Sequence, residues 1–90
     1  MKQTICAVRD SAIDGYLQPM YVQKSQQAVR AFTKEVNNPQ SPMYDTPDDY
    51  SLYEIGEFDS DTGATTSITP IRLIRGKDCK HETTQPQRTE

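Results

Sequence analysis

The stretch DYSLYEIGEFDSDTG, residues 49–63, holds the densest set of side chains that could do chemistry. Asp59-x-Asp61 followed by Gly63 has the look of a calcium loop, and Glu54 and Glu57 have the look of an acid/base pair. An EF-hand loop needs ligands at positions 1, 3 and 5 and a glutamate at 12. Counted from Asp59, position 5 is Gly63 and position 12 is Pro70, so the register fails twice. The same residues suit a hairpin turn between two strand-like runs. Glu54 and Glu57 are three apart, and on a regular strand an odd separation puts them on opposite faces. His81, the single histidine, stands with Cys79 in a polar segment, two potential ligands where a structural zinc site needs four. There is no GxSxG, P-loop or GxGxxG. The expectation is a protein without catalytic residues, metal or cofactor.

Binding chemistry has more to work with. Lys24, Arg30 and Lys34 fall on one helical stretch, and Arg72 and Arg75 form a second basic group. A solvated helix face explains the first group as well as phosphate contact does. If phosphate contacts form they are few, so affinity should be modest and salt-sensitive. The chain also has five Tyr and two Phe, and aromatic rings stack on unpaired bases. Phe32 is expected in the core, and Tyr53 and Phe58 in a core or interface. Tyr16, Tyr21, Tyr44 and Tyr50 lie in or beside loops and are the freer rings, Tyr21 standing with the basic residues as a nucleic-acid candidate. Charge is unevenly spread: residues 45–61 hold seven acidic and no basic residues, between flanks with five basic and three acidic each. Asp45, Asp48 and Asp49 in that block are candidates for docking a basic protein partner.

The elements that must position these residues can be outlined. Thr4–Val8 is a short apolar strand. The stretch YLQPMYV (16–22) is extended, because Pro19 disfavours helix at Gln18, and its apolar side chains must pack on something. Ser25–Val36 is the clearest helix: Ala28, Val29, Phe32 and Val36 form one stripe, and Ser25 can cap it. Asn37 or Asn38 can take a left-handed position, and Pro39 ends the helix. Tyr50–Phe58 is a central strand, with Tyr53 and Ile55 on one face and Leu52 and Phe58 on the other. Residues 64–68 pair back, Pro70 marks a break or edge, and Ile71–Arg75 is a last short strand or arm. The order is β-α-β-β: an α+β fold, one helix on a small antiparallel sheet. Residues 1–75 form the domain, and 76–90 read as a polar, disordered tail.

The totals agree with a small domain. Ninety residues that are 33% hydrophobic, with mean hydropathy −0.83 and net charge −3, make a thin core. Homo-oligomerisation is one way to support it. Cys6 and Cys79 are far apart in sequence and read as free thiols in a reducing compartment. The opening residues lack a signal-peptide apolar run, and no stretch approaches membrane-spanning length, so the expected location is the cytoplasm.

Three segments together carry a resemblance: YLQPMYV (16–22), AVRAFTKEVNNPQ (28–40) and DDYSLYEIGEFDSDTG (48–63). In this order and spacing they resemble the small nonstructural protein of gokushovirus-type phages, of the Microviridae, which have circular single-stranded DNA genomes. The match spans roughly residues 4–75, and the segment after Gly76 departs from the family pattern. The resemblance implies a protein made in the cytoplasm of an infected bacterium and absent from the mature virion. It implies a counterpart of the microvirus C protein, which acts at the switch from double-stranded replication to single-stranded synthesis and packaging. It implies DNA binding, to single-stranded or replicative-form phage DNA, but no family motif assigns the residues. Two functions remain open. One is a DNA-binding accessory factor of genome replication and packaging. The other is an adaptor that docks the replication initiator or procapsid through the acidic block without touching DNA.

Overall fold

A computed structural model describes residues 1–81. It contains β1 (Lys2–Asp10), β2 (Gly15–Tyr16), β3 (Met20–Val22), α1 (Ser25–Val36), a 3-10 turn (Pro47–Asp49), β4 (Tyr50–Asp59), β5 (Thr65–Arg75) and α2 (Gly76–Cys79). The expected α+β architecture is present, with two extra short strands and a short second helix. All strand pairs are antiparallel, in the order β2-β1-β4-β5. The short β3 also pairs with β1, alongside Thr4–Cys6. Between β2 and β3 the Leu17 amide donates to the Val8 carbonyl at 2.8 Å, so the loop keeps its hold on β1.

α1 lies on one face of this sheet. Ala28, Phe32 and Val36 are buried against Cys6, Val8 and Leu52, with Met43, Tyr50 and Cys79 completing the core. The stripe expected from spacing is the stripe that packs. Leu17, Met20 and Val22 pack on the edge of this core, as the apolar content of 16–22 requires. Both thiols are free and buried. A cavity of about 280 Å³ opens beside Phe32, walled by Leu17, Met20 and Met43, with Glu35 as its one charged lining residue.

Several local expectations need correction. The helix is capped at Lys24, not Ser25: the Gln27 side chain reaches back and accepts from the Gln23 and Lys24 amides at 2.8 and 3.0 Å. Neither Asn37 nor Asn38 is left-handed, and Asn37 sits at φ −98°. Its side chain ends the helix instead, donating to the carbonyls of Thr33 (2.8 Å) and Cys79 (2.9 Å). Its Oδ1 accepts from the His81 amide at 2.7 Å. The domain therefore does not end at 75, and residues 76–81 are not a loose tail. Gly76 and Cys79 are buried, and a Cβ at Gly76 would lie 2.3 Å from the Pro47 carbonyl oxygen, so glycine alone permits this approach. The expected disorder of 82–90 falls outside the described residues.

The largest correction is in β4. Ile5 pairs with Gly56 and Cys6 with Glu54, so Ile55 is an extra residue, a β-bulge. A bulge resets the alternation that face assignments depend on. Leu52 pairs with Val8, on the helix side, whereas Phe58 pairs with Gln3, on the other side. Leu52 and Phe58 thus do not share a face. Glu54 and Glu57, paired with Cys6 and Thr4, do share one, contrary to the simple count. β5 is one eleven-residue edge strand, not two pieces, and Pro70 falls where its register with β4 shifts.

Candidate nucleic-acid interface

The face of the sheet away from α1 is bare of helix among the described residues. In β1 it carries the alternate set Gln3, Ile5, Ala7 and Arg9. Cross-strand neighbours share a face, so the register adds Tyr16 opposite Arg9, Tyr21 opposite Ile5, Tyr53 opposite Ala7 and Phe58 opposite Gln3. On the edge strand, Arg72 lies opposite Tyr53 and Arg75 opposite Ser51. Four aromatic rings and three arginines are thereby brought onto one sheet surface.

The rings are organised as two pairs. Tyr16 meets Tyr53 edge to face, with centroids 5.7 Å apart and planes at 77°. Tyr21 meets Phe58 in the same way at 5.7 Å and 81°. In each pair the β4 ring is half-buried and the ring from the short strand is the outer one, with Tyr16 43% and Tyr21 51% exposed. Ala7 and Ile5 are buried without belonging to the α1-facing core, which marks the aromatic layer as their cover. Gly56 makes room in this layer: a Cβ there would sit 2.6 Å from the Thr66 carbonyl oxygen and 3.6 Å from Ile5 Cδ1.

The three arginines differ in freedom. Arg9 pairs with Asp14, a residue at φ 55° in the β1–β2 turn. Arg75 Nε donates to Asp78 at 3.1 Å. Arg72 is exposed and forms no ion pair among the described residues. Two of the three cations thus need to exchange an exposed carboxylate for any other anion, a small cost for surface pairs.

The sequence candidates divide across the sheet. Arg72, Arg75 and Tyr21 belong to the open face. Lys24, Arg30 and Lys34 are exposed on α1, which packs on the opposite face, so the five basic candidates form no single patch. Two of the free rings are not free. Tyr50 is buried in the core, where loss of water and the carboxylates of Asp10 and Asp49 push its hydroxyl pKa up. Tyr44 is capped by Lys80, whose Nζ sits 3.2 Å from the ring centroid and donates to the Tyr44 carbonyl at 2.7 Å. Sequence reasoning missed Arg9, and it put Tyr53 and Phe58 on opposite faces of β4, where the register puts them on the same one. The available signal was the row Ile5, Ala7, Arg9 at strand period.

The acidic block also comes apart in space. Asp45 and Asp48 are exposed and Asp49 half-buried, in and before the 3-10 turn at one end of β4. Asp59 and Asp61 are at the other end, in the β4–β5 turn that Gly63 closes at φ 77°. There the Asp61 amide donates to Asp59 Oδ1 at 2.9 Å, and the Met1 ammonium is held by both carboxylates. The Asp61 amide first, and the Met1 charge after it, hold the Asp59 carboxyl below its usual range. Among the described residues no cluster of three or more His, Cys, Asp or Glu side chains is placed to hold a metal ion. None of the described helices is long and apolar enough to cross a membrane.

Comparison with known proteins gives one family. The family described as Phage ORF5 protein matches residues 3–79, which include every element of the fold except the first residue of β1. No curated protein and no solved structure matches the chain.

Proposed function

The chain belongs to the Phage ORF5 protein family, and from that premise we propose that it is a DNA-binding accessory factor in the replication and packaging of a single-stranded phage genome. In this reading it is a nonstructural protein of the gokushovirus type, working in the cytoplasm of the infected bacterium. The observation that carries the reading is the open sheet face, where exposed rings stand beside Arg9, Arg72 and Arg75. Rings bind bases and arginines bind phosphates, and an uncovered sheet offers both at once. The acidic block sits at the strand ends and on the helix side, and the carboxylates that reach this surface, Asp14 and Asp78, are exposed partners of Arg9 and Arg75.

With three arginines at work, the affinity for single strands should fall with a log–log salt slope of about −2, or about 20-fold from 50 to 200 mM salt. Fluorescence anisotropy with labelled single-stranded and duplex oligonucleotides tests the proposal. Saturable binding with that slope supports it, and no binding to either at about 50 mM salt refutes it.

A second reading has one observation in its favour. Asp45 and Asp48 are exposed and form no ion pair among the described residues. An adaptor would use them to dock a basic surface of the replication initiator or procapsid. Capture of those proteins that is lost when Asp45, Asp48 and Asp49 are changed to Asn supports the adaptor, and unchanged capture argues against it.

A further inference from the structure

Resting on the DNA-binding reading, we propose that the ligand of the open face is unpaired single-stranded DNA, held by base stacking on Tyr16 and Tyr21. Duplex grooves admit a helix or a two-stranded ribbon, and their bases show only edges. The open face is a broad sheet surface with aromatic rings, which needs base faces and so needs bases out of the duplex. Among the described residues the longest hairpin ribbon is β4–β5. Its tip carries Asp59 and Asp61, which repel phosphate.

The two aromatic pairs sit about four β1 residues apart, one around Ala7–Arg9 and one around Gln3–Ile5. At 3.3 Å per residue the separation is roughly 13 Å, so the face offers two stacking platforms along a strand, not a single base pocket. In each pair the half-buried partner, Tyr53 or Phe58, meets its outer ring edge to face and braces it. Pre-positioned rings lose little freedom when a base stacks on them. Arg72 stands across from Tyr53, beside the first platform, where a backbone phosphate would pass. A second copy of this chain is the rival occupant. It would bring one arginine-bearing face against another, and like charges facing each other disfavour that packing.

The test is a set of anisotropy titrations on the intact chain at 50 mM salt. The probes are dT20, a 20-base-pair duplex and an abasic 20-mer that keeps the phosphates and lacks bases, with rU20 as a control for the sugar. dT20 should bind at least ten times tighter than the other two. Tyr16→Ala and Tyr21→Ala should each weaken dT20 binding by about 5- to 150-fold, the range for losing one base–aromatic stack. Arg30→Ala with Lys34→Ala, on the far side of the sheet, should leave it unchanged. The abasic comparison uses the unmodified protein, so the stacking claim stands or falls even if a tyrosine variant misfolds. Equal affinity for dT20 and the abasic strand, or weakening by the helix pair but not the tyrosines, overturns this inference while DNA binding survives. Tighter binding to rU20 than to dT20 overturns the assignment to DNA. Absence of binding to every probe overturns both this inference and the proposed function.

Discussion

Replacing Asn37 with Ala tests the tie that makes residues 76–81 part of the domain. The side chain donates to Thr33 O at 2.8 Å and Cys79 O at 2.9 Å and accepts from the His81 amide at 2.7 Å. These three bonds are not equal. The Thr33 carbonyl keeps the Asn37 backbone amide at 3.2 Å, and the exposed His81 amide can turn to water. The Cys79 carbonyl, part-buried beside the core, loses its donor. An orphaned buried carbonyl costs about 1–3 kcal/mol, and a surviving but weakened bond adds a fraction more, so the loss should be about 2 kcal/mol. For a domain of this size that lowers the thermal midpoint by roughly 8–16 °C. Circular dichroism melts and urea titrations measure it. Asn37→Asp sharpens the test: its carboxylate still accepts from His81 but faces two carbonyl oxygens. It should be less stable than Asn37→Ala at neutral pH and recover below about pH 4, where the carboxyl is protonated. A loss under about 0.5 kcal/mol for Asn37→Ala, or an Asp variant as stable as wild type, would refute the role given to this residue.

Three further outcomes follow from the packing. Gly56→Ala puts a methyl 2.6 Å from the Thr66 carbonyl oxygen and should cost about 1–3 kcal/mol in a urea titration, since backbone, not a flexible side chain, must move. Phe32→Ala empties the centre of the α1 contact, where Phe32 is 2% exposed, and should cost about 3–5 kcal/mol, enough to leave much of the chain unfolded at 37 °C. Stability should also fall in alkali. Burial first, with Glu54 adding to it, raises the Cys6 thiol above its ordinary 9.0. Burial likewise raises Cys79 from 9.0 and Tyr50 from 10.0. The folded chain keeps these protons where the unfolded chain releases them, so the stabilisation is complete below about pH 9 and drains away above it. The urea midpoint, under reducing conditions, should be level from about pH 7 to 8.5 and then decline. Cys6→Ala should flatten part of that decline, and a midpoint unchanged to pH 10.5 would contradict the assignment.

How much of this was legible follows from where the information lies. α1 was readable to its ends because twelve residues of helical periodicity are a local signal, and the same holds for the apolar centre of β1. β2 and β3 were not readable as strands, since two or three residues have no period, and their pairing is fixed by contact with β1. α2 was missed for a different reason. GKDC has a single apolar side chain, and its burial depends on Gly76 lying against the distant Pro47 carbonyl and on Asn37. The site failed to assemble from sequence at one residue. Ile55 enters as a bulge, and every face assignment beyond it inverts: Phe58 moves to the open face and Glu57 joins Glu54. Without that inversion the aromatic layer over Ile5 and Ala7 cannot be seen. Tyr21 and Arg72 were identified by residue type and exposure, but their shared surface exists only in the strand order.

The central claim is that the open sheet face, not the basic face of α1, meets DNA. An amide and aromatic NMR titration of the labelled protein with a short oligo-dT reports it residue by residue. The account predicts shifts at Ile5, Ala7, Arg9, Tyr16, Tyr21, Tyr53, Phe58 and Arg72, with α1 silent. Shifts confined to Lys24, Arg30 and Lys34, with the tyrosine rings undisturbed, would contradict it.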